Sequence, residues 1–138
     1  MNGRERRKRK GFTVLEILVV VVIIGVLAAL TMPKLWSRIG QAKSSVAKQK
    51  LASLEQAIDF FRTDCGRYPE RLEDLFEPPA DVEEKWQPPG IKRKDMIDPW
   101  DRQFIYQYPG TYGVYDLYSL GADGAEGGED DNADIVNW

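Results

Sequence analysis

The chain contains no histidine and a single cysteine among its 138 residues. Without histidine, the common pairing of a nucleophile with a general base cannot be assembled, and Cys65 has no second thiol to activate it. A lone cysteine also excludes an intramolecular disulfide, so a small domain of this chain in an oxidising compartment needs another kind of fastening. The composition therefore predicts a protein that is not an enzyme, with Cys65 as a passive, partly buried thiol.

Charge is nearly absent from one long stretch near the amino end. Between Phe12 and Met32, a segment of 21 residues, Glu16 is the only charged side chain. A membrane-spanning helix needs about 20 apolar residues, so we predict that residues 12–32 cross a bilayer. The preceding leader, residues 1–11, carries six basic side chains and one acidic one. By the positive-inside rule, this leader places the amino end in the cytoplasm.

The carboxylate of Glu16 lies within the predicted membrane-spanning segment. Inserting an ionised group near the middle of a bilayer costs about 2.5–3.5 kcal/mol of free energy on insertion scales. A new amino terminus, made by cutting between Gly11 and Phe12, would supply a positive charge to pair with it. The junction Lys10-Gly11-Phe12-Thr13-Val14-Leu15-Glu16 resembles the processing site of type IV pilins and pseudopilins, where a prepilin peptidase cuts after the glycine. We therefore expect cleavage between Gly11 and Phe12, and a role for Glu16 in assembly.

A cleaved secretory signal is the main alternative for this end of the chain. Such a signal has an apolar core of about 7–15 residues followed by a small-residue cleavage site. Ala28-Ala29-Leu30 is a weak candidate for that site. The length of the apolar run and the embedded Glu16 favour a retained anchor that is cut on its cytoplasmic side.

The remainder of the chain is acidic. The whole sequence has a formal net charge of −3, and the leader alone contributes +5, so Phe12–Trp138 is left with −8. An acidic surface is unsuited to binding polyanions without a bridging cation. We therefore expect no nucleic-acid partner.

A second helical pattern follows the apolar run. In residues 33–63, apolar side chains recur every three to five positions between lysines, serines and glutamines, which is typical of an amphipathic helix. We predict one long helix over Phe12–Thr63, loosened near Pro33 because proline removes one backbone hydrogen bond. Gly66 and Pro69 then supply the usual stop chemistry. Residues 64–138 remain for one small globular head.

The head is predicted to contain a small antiparallel sheet. Phe104–Tyr108 and Tyr112–Tyr118 are rich in strand-forming residues and flank Pro109-Gly110, as in a hairpin. Ile135–Trp138 is a candidate edge strand, and Arg71–Phe76 a short helix. We interpret the tyrosines of the hairpin as the packing surface of the sheet. The fold class is therefore α+β, a long amino-terminal helix packed on a small antiparallel sheet.

An acidic, glycine-rich segment precedes the final strand. Four glycines alternate with six carboxylates within it: Asp123, Glu126, Glu129, Asp130, Asp131 and Asp134. The segment could simply be a solvated loop. However, apolar residues follow it, so the segment is expected to be tethered at both ends, and crowded carboxylates repel one another unless a cation lies among them. Hard oxygen ligands select Ca²⁺, although the spacing does not match an EF-hand. These features favour a calcium loop.

Further short motifs extend the resemblance over nearly the whole chain: Asp64-x-Gly-Arg-Tyr-Pro69, Asp98-Pro99-Trp100, Tyr115-Asp116-Leu117, Gly121-Ala122-Asp123-Gly124 and Asn137-Trp138. In this order behind the processing site, they resemble the major pseudopilin family of type II secretion systems. The resemblance implies a pilin fold and a homopolymeric periplasmic filament that helps to export folded proteins across the outer membrane. It also implies processing by prepilin peptidase, N-methylation of Phe12, and contacts with an inner-membrane assembly platform and minor pseudopilins.

The same resemblance implies a cofactor and a location. Calcium is expected in the carboxy-terminal loop, bound by the Leu120 carbonyl and the carboxylates of Asp123 and Asp134. The remaining ligand, here assigned to Asp131, is chosen from Asp130, Asp131 and Asn132. The chain is expected to cross the bacterial inner membrane once, with its head in the periplasm.

The alternative function is a minor pseudopilin, or a pilin-like, membrane-anchored binding module that depends on calcium. Glu16 distinguishes the two functions, because a monomeric anchor gains nothing from a buried carboxylate.

Overall fold

The computed structural model describes residues 11–138, apart from the side chain at position 34. The predicted leader up to residue 10 lies outside the described residues. One α-helix, α1, spans Val14–Cys65, and each end lies two residues later than in the predicted Phe12–Thr63. Thr13 fixes the start, because its hydroxyl oxygen accepts a hydrogen bond from the Glu16 N–H at 3.2 Å and so caps the first turn.

The carboxyl end of α1 is set by Gly66. Its φ of 79° lies in the left-handed region that glycine adopts without strain, and its N–H donates to the Arg62 carbonyl at 2.8 Å. The predicted stop is thereby confirmed. Pro33 lies inside α1, and the local loosening expected there stays a prediction.

The described chain divides into two units, and α1 passes through both. The first unit ends at Trp36, and the second comprises Ser37–Trp138. In the first unit, every side chain that the structure describes is exposed. Of the helices in residues 11–138, α1 is the one long and apolar enough to cross a membrane, judged by length and composition.

The second unit contains the hydrophobic core. From α1, Leu51, Leu54, Ile58 and Phe61 recur every three or four residues and are at most 5% exposed, so they form one apolar stripe. The segments after the helix cover this stripe with further buried side chains: Leu72, Leu75, Val82, Met96, Phe104, Leu117 and Ile135. The core is thus built entirely from the second unit.

The sheet has three short antiparallel strands in sequence order, β1 (Ile105–Gln107), β2 (Asp116–Ser119) and β3 (Ile135–Val136). Leu117 of β2 lies opposite Tyr106 of β1 and is fully buried. The predicted fold class, a long helix on a small antiparallel sheet, is therefore confirmed. The short helix predicted near residue 72 is present as a 3₁₀ turn over Leu72–Leu75. A second 3₁₀ turn, Arg93–Met96, was not predicted.

The second strand was predicted too long, because the residues before Asp116 belong to the connection between β1 and β2. The buried Asp116 carboxylate accepts hydrogen bonds from the N–H groups of Thr111 at 2.7 Å, Tyr112 at 3.1 Å and Gly113 at 3.2 Å. Backbone groups held by a side chain in this way do not join a strand ladder.

The tyrosines of the hairpin divide accordingly. Tyr106 and Tyr115 pack against the core as predicted, whereas Tyr108 and Tyr112 are 40% and 68% exposed. The expectation of one tyrosine packing surface therefore holds only for part of the set, because the connection before β2 turns the other rings outward.

Candidate functional site

The first candidate site lies at the amino end of the described chain. Gly11 and Phe12 precede α1 outside any helix or strand, and Phe12 is 79% exposed. Glu16 occupies the first turn, where the unpaired N–H groups of a helix favour a negative charge. The described residues therefore present an accessible junction and a carboxylate four residues after it, in an otherwise apolar helical segment.

The second candidate site is the carboxy-terminal loop, which we define as residues 120–134 between β2 and β3. Its backbone turns repeatedly through the left-handed region, with φ values of 64° at Gly121 and 71° at Gly124. At Gly121, a Cβ would lie 2.7 Å from the Asn132 carbonyl oxygen, so glycine is required where the two ends of the loop meet. The glycines found in the sequence thus permit the loop to close on itself.

Three of the four predicted calcium ligands make contacts within this loop. The Leu120 carbonyl accepts the Gly124 N–H at 3.2 Å, and the exposed Asp123 carboxylate accepts the Ala125 N–H at 3.0 Å. Asp134 accepts the Gly127 N–H at 2.8 Å through Oδ2. Its other oxygen, Oδ1, is buried and meets no hydrogen-bond donor among the described residues. A buried carboxylate oxygen without a hydrogen-bond partner is uncommon in folded proteins, and it leaves Oδ1 of Asp134 free to accept a donor or a cation.

The side chain of Asp131, the fourth predicted ligand, points away from the other three. Its carboxylate approaches α1 at Gly40, while its carbonyl accepts the Ala122 N–H at 2.9 Å across the loop. Within residues 11–138, no three acidic, histidine or cysteine side chains are grouped so that they could hold a metal ion. The structure therefore closes the loop but does not bring the four predicted ligands together, and calcium binding stays a prediction.

Arg102 connects this loop to the rest of the head and was not identified from the sequence. Its guanidinium donates to the Gly121 carbonyl, and Nη1 lies 2.8 Å from where a Cβ at Gly124 would be. The buried Asp98 carboxylate fixes the turn that carries Arg102, accepting the N–H groups of Trp100 and Arg102 at 2.9 Å each and the Ser119 hydroxyl at 2.6 Å. The Asp98-Pro99-Trp100 motif could have indicated the turn, whereas nothing in the sequence indicates the contact with Gly121.

The last two residues fasten the end of the chain. The Asn137 side chain accepts the Leu117 N–H at 2.8 Å, and the Trp138 ring stacks on Tyr112 with centroids 4.4 Å apart. The Asn137 side chain also donates to the Tyr115 carbonyl at 3.4 Å. Partial burial raises the pKa of Glu55 on α1 above its ordinary value, and the interaction with Asn137 opposes part of that rise. The loop is therefore tethered at both ends, as the sequence predicted.

An exposed junction ahead of the helix, an apolar helical segment bearing one carboxylate, and a head with a helix against a three-stranded antiparallel sheet together define a pilin-like subunit. Comparisons with known families agree with this class. Residues 6–32 match the prokaryotic N-terminal methylation motif, and residues 34–138 match the family described as type II secretion system (T2SS), protein G.

Curated relatives carry the match over the full length. The type II secretion system core protein G of Pseudomonas aeruginosa is 46% identical, with 97% of this chain and 98% of the relative covered. That of Escherichia coli K12 is 39% identical, with 98% and 94% covered. The chain therefore belongs to the protein G family of type II secretion systems.

A solved structure agrees with the fold. The crystal structure of the major pseudopilin from the type 2 secretion system of enterohaemorrhagic Escherichia coli has a TM-score of 0.59 and 30% identity, covering 77% of this chain and 95% of that one. The resemblance stated from the sequence motifs is confirmed.

Proposed function

We propose that this chain is the major subunit of a type II secretion pseudopilus, a structural subunit that acts by polymerising and not by catalysis. The observation that carries the proposal is the exposed apolar segment of α1 with Glu16 in its first turn, in a member of the protein G family. An apolar surface of this extent is stable in lipid or against other apolar helices. The membrane supplies the lipid before assembly, and polymerisation then supplies the neighbouring apolar helices.

The pathway to the filament begins with processing. Prepilin peptidase cuts between Gly11 and Phe12, and Phe12 then carries the new, N-methylated amino terminus, which remains positively charged. Support comes from the match to the methylation motif and from the exposed position of the junction outside α1. The subunit waits in the inner membrane with its head in the periplasm, until the assembly platform and minor pseudopilins initiate a filament that helps folded proteins across the outer membrane.

Glu16 acts in assembly. In a bundle of packed helices, its carboxylate approaches the Phe12 ammonium of a neighbouring copy. Two opposite charges attract more strongly in a low-dielectric environment than in water, so the pair recovers part of the cost of removing both from water. A subunit that enters the bundle in the wrong register leaves both charges unpaired. The pair therefore favours one register over others.

Calcium is proposed to fasten the carboxy-terminal loop. The Leu120 carbonyl, Asp123 and Asp134 supply oxygen ligands, and Asp131 would have to turn from α1 to join them. The buried, unpartnered Oδ1 of Asp134 supports this assignment. A shared ion would also relieve repulsion among the carboxylates of the loop, and would replace the disulfide that a single cysteine cannot form.

The experiment that tests polymerisation compares two glutamates. Glu16→Ala removes the charge from the helix, whereas the control Glu5→Ala removes the same side chain from the leader that processing discards. We expect Glu16→Ala protein to be processed and membrane-bound but to form few filaments, and Glu5→Ala protein to assemble normally. Normal filament yield and secretion in the Glu16→Ala strain would contradict the proposal and favour a monomeric, membrane-anchored binding module.

A further inference from the structure

A glycine occupies an unexpected place in α1. Gly40 lies well inside the helix, where glycine is a poor helix former because it loses the most backbone freedom on folding. Gly40 is nevertheless buried, although its neighbours Ile39 and Gln41 are exposed. A residue that weakens its own helix and is covered on an otherwise exposed stretch indicates that something outside the helix needs the space.

The covering group is the Asp131 carboxylate. If Gly40 carried a Cβ, that atom would overlap with both carboxylate oxygens and the Cγ of Asp131. Asp131 lines a polar groove on this part of α1, together with Ser44, Lys48 and the neighbouring Asp130. A carboxylate is suited to this groove, because hydroxyl and ammonium groups are donors and the ammonium is of opposite charge.

We propose that Gly40 is the docking position for Asp131, and that this contact anchors the carboxy-terminal loop to α1 without a metal ion. Asp131 can connect the loop to α1 because its backbone is held in the loop and its side chain contacts the helix. Its carbonyl is held within the loop by the Ala122 N–H at 2.9 Å, while its carboxylate reaches the helix. Asp131 is thus a positioning residue for the loop, and Gly40 is the small residue that makes the approach possible.

If this contact exists, its loss should affect the carboxy-terminal loop and not the rest of the head. About two and three turns beyond Gly40, Ala47 and Leu51 are buried in the core at 0% and 5% exposure, so α1 cannot shift to make room for a methyl group. The Asp131 side chain must leave instead, so the loop loses its contact with α1 and opens more often while the head stays folded. Local release of this kind is measured by proteolysis when opening is fast relative to cleavage.

The test uses the full-length chain in detergent micelles with excess calcium chelator throughout, so that the outcome does not depend on the calcium proposal. A glutamate-specific protease cuts the released loop at Glu126 and Glu129, which are exposed. Cleavage after Glu83, also exposed but outside the loop, provides the internal reference. We expect Gly40→Ala to increase loop cleavage about tenfold relative to the reference, which corresponds to ~1.4 kcal/mol.

Two further variants make the test specific. Gly25→Ala is the matched control, because Gly25 also lies in α1 and a Cβ there meets nothing within 4 Å. It should leave loop cleavage unchanged. Asp131→Ala should increase loop cleavage by itself, and adding Gly40→Ala to Asp131→Ala should have no further effect, because the obstructing carboxylate is gone.

The possible outcomes separate clearly. If Gly40→Ala has no effect, or the same effect with and without Asp131, the proposed contact does not exist. If the Gly40→Ala chain does not fold but the double variant does, the carboxylate is the obstruction and the proposal stands. Failure of both to fold would contradict it, because Gly40 would then be needed for another reason.

Discussion

Apolar side chains are exposed in one part of α1 and buried in the other. Before Trp36 they are exposed, with Leu15 at 69% and Val20 at 48%, whereas Leu54 and Ile58, farther along the helix, are completely buried. A helix that is apolar all round requires lipid or other helices, while a helix with one apolar stripe is satisfied by the chain's own sheet. The head therefore contains what it needs to fold, and the amino-terminal part depends on surroundings that the chain does not provide.

Because of this difference, substitutions in the two parts of the chain should have different effects. In the amino-terminal part, a change should alter where the protein goes and whether it assembles, with little effect on the stability of the head. In the head, a change should alter stability or loop closure and leave processing intact. A substitution that crossed this division would show that the two parts are not independent.

The largest effect is expected at the processing junction. Gly11→Asp should block cleavage almost completely, because the peptidase needs a small residue before the cut and an aspartate adds both bulk and charge. Immunoblots of the membrane fraction should then show only the longer precursor. Gly25→Ala, in the same unit of the chain, should be processed normally. Efficient processing of the Gly11→Asp chain would contradict the assigned cleavage site.

The next effect concerns calcium. An ion at a hundredfold its dissociation constant stabilises the folded state by about 2.7 kcal/mol. A soluble fragment of residues 34–138 should therefore melt at least several degrees lower in chelator than in calcium, since ~1 kcal/mol shifts the melting temperature of a domain of this size by about 4–8 °C.

Variants locate the ion within the head. Asp123→Ala and Asp134→Ala should each abolish the calcium-dependent rise in melting temperature, whereas Glu84→Ala, an exposed carboxylate outside the loop, should retain it. Equal melting of the wild-type fragment in calcium and in chelator would mean that the loop is only a solvated acidic surface.

A smaller change should follow removal of the buried carboxylate that fixes the turn before β1. Asp98→Ala leaves the buried Ser119 hydroxyl without its acceptor, together with two partly buried backbone N–H groups that water can reach. A single unsatisfied buried donor costs about 1–3 kcal/mol. The melting temperature of the fragment should fall accordingly. Asp101→Asn, at an exposed position with a φ of 64° that asparagine tolerates, should have almost no effect. Equal melting of the two variants would mean that the Asp98 hydrogen bonds contribute little.

The smallest effect concerns Cys65. Burial raises the pKa of its thiol above the ordinary value, and the neighbouring Asp64 carboxylate adds to the rise. The thiolate is the reactive form. Near pH 8, iodoacetamide should therefore label the folded head more slowly than the denatured chain. Equal rates would show that the thiol is accessible and that the core is open at the end of α1.

The sequence predicted those features that depend on local pattern. The apolar run, the amphipathic continuation, the stop at Gly66 and three strand-forming segments all follow from residue type and spacing. The length of β2 could not be predicted, because Asp116 reaches back to bind the backbone of the connection, and alternating tyrosines look the same in a strand and in a loop. The contacts of Arg102 with Gly121 and of Asp131 with Gly40 join residues distant in the sequence, so no local pattern indicates them.

The central claim, that the amino-terminal part is a processed assembly helix, is tested most directly by intact mass and amino-terminal analysis of the chain isolated from filaments. The predicted result is a chain that begins at Phe12, lacks residues 1–11 and carries one added methyl group on its amino terminus. A chain that retains the leader, or that begins after the apolar segment as a secreted protein would, contradicts the account.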